Sequence, residues 1–99
     1  MMTLDELRAA VGSASPPSGV PATIVALWHD ARGDWDAAHR VAQDVESPDG
    51  SWVHAYLHRK EGDLGNAGYW YRRAGRSAAS GSLDDEWAAI AAALLTDGS

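Results

Sequence analysis

With 99 residues and a formal charge of −6, the chain has apolar surface for one core only, because a chain below about 150 residues seldom buries two. The negative balance excludes nucleic acid or an anionic membrane as the main partner, since both need a cationic face. Cysteine is absent, which removes disulfides, thiolate metal sites and thiol nucleophiles.

In chain order, Thr3-Leu4-Asp5-Glu6 reads as a capping box opening a short helix over residues 4–10. Residues 12–19 hold two prolines, three serines and two glycines, a loop composition. Pro21 suits the first turn of a helix over 21–32, whose apolar face is Ile24, Leu27, Trp28 and Ala31. Gly33 should end that helix in a left-handed conformation, and Asp34 should cap the next, over 35–45. Pro48-Asp49-Gly50-Ser51 reads as a turn with Ser51 as the following N-cap, so the next helix is expected over 52–61. Gly62-Asp63 repeats the hinge before a helix over 64–74. After a small-residue linker, Ser82 and Asp85 cap a closing helix over about 83–95, with Leu83, Trp87, Ile90, Ala91 and Leu94 in one stripe and a frayed end.

Setting Gly33-Asp34 over Gly62-Asp63, an offset of 29, also aligns Ala26 with Ala55, His29 with His58 and Ala38 with Ala67. The expectation is a single all-α domain over 1–99, of five to six helices: two antiparallel hairpins, about 21–45 and 51–75, with flanking N- and C-terminal helices. There is no Phe, but there are five Trp and three Tyr. These large rings must fill the gaps between Ala-rich helices, with Trp28, Trp35, Trp70 and Trp87 in the core and Trp52 partly exposed.

In the second hairpin Ala55, Gly62-Asp63, Leu64, Ala67, Tyr71 and Ala74 stand where a tetratricopeptide or Sel1-like repeat places its small contacts, hinge and packing aromatic. The chain resembles that family over about residues 21–74. The resemblance implies a concave face built from the first helix of each hairpin, presenting Thr23, Leu27 and Asp30 beside Trp52, Tyr56 and Arg59. It thus implies a groove of Trp52, Tyr56, Arg59 and Asp30 for a peptide or chain terminus.

A second set carries metal chemistry. His54, His58 and Glu61 stand at i, i+4 and i+7 and fall within about 60° on one helix face. Two imidazoles and a carboxylate at that spacing can hold a divalent metal, with His39, Asp36 or His29 as a further donor. The competing reading is structural: in the family's register both histidines pack between helices, with His58 bonded to Glu61 or Asp63 and His54 to backbone or a Tyr hydroxyl. No H-E-x-x-H, G-x-S-x-G or P-loop string is present. The balance favours a non-enzymatic scaffold or adaptor with a protein or peptide partner and no required cofactor, self-association being a further option. The alternative is a small-ligand or metal-binding protein or enzyme at the histidine face. The N-terminus shows no signal-peptide pattern, and a soluble cytoplasmic protein is expected.

Overall fold

The computed structural model describes residues 2–97; the expected fraying at Gly98 and Ser99 lies outside them. Among the described residues the chain is all-helical: α1 (Leu4–Ala10), α2 (Ala22–Ala31), α3 (Trp35–Gln43), α4 (Pro48–Glu61), α5 (Leu64–Ala74) and α6 (Leu83–Asp97). The capping box at α1 forms with both bonds: the Thr3 hydroxyl accepts from the Glu6 N–H, and Glu6 reaches back to the Thr3 N–H.

The 29-residue offset persists down to individual hydrogen bonds. Gly33 and Gly62 have φ of 84° and 91°, and the N–H groups that follow close the same loop, Asp34 to the His29 carbonyl and Asp63 to the His58 carbonyl, each at 3.0 Å. The two aspartates then cap the next helix, Asp34 accepting from Ala37 N–H and Asp63 from Asn66 N–H. A left-handed residue followed at once by an N-cap reverses the chain in two residues, so α2 lies against α3 and α4 against α5. Gly62→Val should therefore cost about 1–2 kcal/mol, because a β-branched residue resists positive φ. Urea melts check this, with Gly65→Ala as the control that should cost nothing: its added methyl meets open space.

α4 starts earlier than its residues suggest. Ser47, not Ser51, is the N-cap, accepting from the Gly50 N–H at 3.2 Å, and Pro48 to Ser51 form the first turn rather than a separate turn. Pro at the first helical position loses no hydrogen bond, so Pro-Asp-Gly satisfies turn and helix start equally well. Burial of α4 from Gly50 onward against four other helices favours the helix start. Only glycine fits at position 50, where a Cβ would lie 2.1 Å from the Val45 carbonyl oxygen.

α4 is the hub, packing against α2, α3, α5 and α6. Its residues from Gly50 to His58 are all buried. Tryptophans pin the other helices by donating indole N–H groups to carbonyls: Trp28 to Ala10, Trp35 to Leu57 and Trp87 to Leu27. α6 lays its expected stripe, extended by Leu95, across α1, α2 and α4. Trp52 is buried rather than partly exposed, because the extra turn of α4 carries it inward and the Arg76 guanidinium lies 3.3 Å over its ring.

Candidate functional site

The four expected groove residues do not share one open face. Asp30 and Tyr56 do meet, the Tyr56 hydroxyl donating to Asp30 Oδ2 at 2.7 Å, and Lys60 closes on Oδ1 at 2.8 Å. Asp30 is 2 % exposed and Tyr56 likewise. Arg59 is drawn onto α6, donating to Glu86 at 2.9 Å and to the Gly81 carbonyl. Trp52 lies under Arg76. The face that the repeat resemblance leaves free is thus covered by α6 and its leading segment. Asp30, Tyr56 and Lys60 wall a separate cavity of about 420 Å³ near Trp87.

Sequence reasoning misses Glu86, the buried carboxylate that joins α6 to this face. It accepts from Arg59 and from the Tyr71 hydroxyl. Burial first, and the bond to Glu86 second, hold the Tyr71 phenol protonated well above its ordinary range; Tyr56 is raised in the same way by burial and Asp30. The available signal was an acidic residue beside Trp87 on the apolar stripe of α6.

The histidines converge more tightly than helix spacing alone requires. α4 presents His54 and His58 one turn apart, their rings stacked at 4.7 Å, and α3 brings His39 edge-on to both at 4.6 and 5.2 Å. One ligating nitrogen from each of the three lies within 4.8 Å of the others. Trp35, at the start of α3, stacks on His39 at 4.9 Å, and Trp70 on α5 stacks on His54 at 4.0 Å, so two indoles hold two of the imidazoles in place.

Glu61 takes a different position from the expected one. Rather than joining His54 and His58 as a third ligand, its carboxylate sits 2.6 Å from His58 Nδ1. An ionised carboxylate can only accept, so Nδ1 carries the proton and the lone pair lies on Nε2, where a metal would have to displace the Asn66 amide. The Asn66 amide lies 3.4 Å from that Nε2. His29 packs edge-on against Trp28, and neither it nor Asp36 joins the group. A second set, His58 with Glu61 and Asp63, shares His58 and uses exposed carboxylates already engaged with His58 and the Asn66 N–H.

His54 lacks the backbone or Tyr hydroxyl partner that the structural reading requires. Among the described residues no hydrogen bond reaches either ring nitrogen of His54 or His39. Burial above all, then the neighbouring imidazoles, pushes His54 down to about 4, and burial followed by His58 lowers His39. Both are therefore neutral near pH 7, the form that ligates a metal without first losing a proton. His54 also borders a cavity of about 540 Å³ between the α3–α4 loop and α5, beside Ser47, Ser51, Trp70 and Arg73.

Comparison with protein-family models, curated proteins and solved structures finds no match for this chain.

Proposed function

We propose that this domain binds a divalent transition metal, zinc in the first instance, through His39, His54 and His58. The observation that carries it is the convergence of three imidazoles within 4.8 Å, two of them with no hydrogen bond at either ring nitrogen. Among the described residues no buried side-chain nitrogen is left without a partner, so the unbonded nitrogens of His39 and His54 reach the solvent edge of the cluster, where a cation can meet them. Tetrahedral zinc with nitrogens at about 2.0–2.1 Å sets ligand atoms roughly 3.4 Å apart, so modest ring rotations close the set. An all-imidazole shell favours zinc, copper or nickel over magnesium or calcium, which take oxygen. Glu61 supports the same reading from outside the shell, because a carboxylate on the far nitrogen orients a ligating histidine and raises its basicity.

Untagged protein titrated with zinc by calorimetry should take up one equivalent. His39→Ala and His54→Ala should each weaken binding at least 100-fold, and Glu61→Gln about 10–100-fold. His39 is half-buried at the edge of the cluster, so its variant should stay folded by circular dichroism. No stoichiometric uptake, or equal uptake by the alanine variants, sinks the proposal.

The scaffold reading keeps one observation in its favour. The exposed large hydrophobics, Leu64 and Tyr69, both stand on α5, which also carries Arg72 and Arg73, neither in an ion pair among the described residues. A protein partner, if there is one, belongs on that outer face and not in the covered groove. A degenerate tetratricopeptide or Sel1-like ancestry for the hairpins fits the repeated hinge bonds.

A further inference from the structure

Resting on the three-histidine metal reading, we propose that the site takes a small carboxylate as its exogenous ligand, entering from the adjoining cavity with Arg73 as its counter-charge. Three protein nitrogens leave one position of a tetrahedral zinc for water or a ligand. Of the three histidines, His54 alone borders the cavity of about 540 Å³, so a ligand reaching the metal comes from that side. The volume falls within the range of small-molecule sites and far exceeds what one water needs.

The cavity carries a cation suited to the task. Three of the chain's other basic groups are engaged with oxygens elsewhere: Arg59 on Glu86, Lys60 on Asp30, and Arg32 on the Val11 and Ser13 carbonyls. Arg73 lines the cavity and forms no ion pair among the described residues. Its guanidinium lies 5.2 Å from the Trp70 ring and 5.8 Å from that of Tyr69, and it spends one donor on the Tyr69 hydroxyl at 3.0 Å. A guanidinium shelved on aromatic rings keeps its in-plane donors free, and those donors match the two oxygens of a carboxylate.

Position follows from the same ring. Trp70 stacks on His54 at 4.0 Å and 16°, so one indole fixes both the ligating imidazole and the guanidinium. Ser47 and Ser51 add hydroxyls to the wall. The exposed carboxylate of Glu46 also lines the cavity and sets a like charge against a dianion. A monoanionic carboxylate is therefore preferred to phosphate.

The test uses the full chain loaded with cobalt(II), whose visible absorption reports its ligands. Acetate should shift the spectrum saturably, and inorganic phosphate should bind less tightly. Arg73→Gln should retain cobalt at unchanged stoichiometry and weaken acetate about 10-fold, the scale of one lost charge-assisted hydrogen bond. Arg73→Lys, which keeps the charge but not the fork, should fall between. Failure to bind cobalt at all removes the metal reading and this inference with it. Cobalt bound with a spectrum indifferent to acetate, equal acetate affinity in Arg73→Gln, or phosphate binding more tightly than acetate would each overturn the carboxylate assignment while leaving the three-histidine site standing.

Discussion

Glu86→Ala is expected to lower stability by about 3 kcal/mol or more. The carboxylate is 7 % exposed and holds two partners from other elements, Arg59 of α4 and Tyr71 of α5. Deleting it strands a cation and a phenol that cannot both reach water. Breaking a buried pair by removing one member costs about 3–5 kcal/mol. Arg59, whose side chain is 16 % exposed, can partly rehydrate, which sets the estimate at the lower end. Glu86→Gln keeps the shape and an acceptor for one partner, so it should cost roughly half as much. Urea unfolding at pH 7 measures both. A loss under about 1 kcal/mol for the alanine variant would mean that α6 is held by its apolar stripe alone. The arrangement occurs twice, since Asp30 takes a tyrosine hydroxyl and Lys60 in the same manner. Both carboxylates take partners from the residues that the repeat resemblance assigns to a groove, Arg59 for Glu86 and Tyr56 for Asp30.

How far each feature can be read from residues depends on how local its cause is. The Gly-Asp hinges are readable because a left-handed glycine and an aspartate cap act within a few residues of themselves, and both form as expected. The start of α4 is not, because Ser47-Pro48-Asp49-Gly50 fits a turn or a first helical turn, and burial of α4 from Gly50 onward against four other helices favours the second. Placement of α6 is less local still. Its apolar stripe predicts burial but not against which helices, and Glu86 is informative only once Arg59 and Tyr71 are known to lie opposite. The histidine set falls between these cases. Spacing on α4 joins His54 to His58, whose rings do stack, but it also sets Glu61 on the same face as both. Only the crossing of α3 over α4 brings the His39 ring to both, and it leaves Glu61 behind His58.

Metal-free protein should lose about 2–3 kcal/mol of stability as pH falls from 6.5 towards 4, with much of that loss above pH 5. His54 titrates near its ordinary value of 6.5 when unfolded and at about 4 when folded. Between those values the unfolded chain binds a proton that the native one refuses, so protonation draws the equilibrium towards unfolding. Stability is complete above 6.5 and declines through this window, at up to about 1.4 kcal/mol per pH unit. His39 is lowered too and adds in the same direction. The opening of His54 towards its cavity admits some water, which keeps the figure below the full linkage value. In melting temperature the change is roughly 10–20 °C for a chain of this size. Thermal melts in EDTA at half-unit pH steps measure it. Unperturbed carboxylates titrate chiefly below pH 5, so the slope from 6.5 to 5 reports on imidazoles. His54→Gln should flatten that part of the curve by close to one proton, at whatever cost in absolute stability. An unchanged slope in the variant would show that His54 takes up its proton without resistance, and that the imidazoles are not confined closely enough to act as one site.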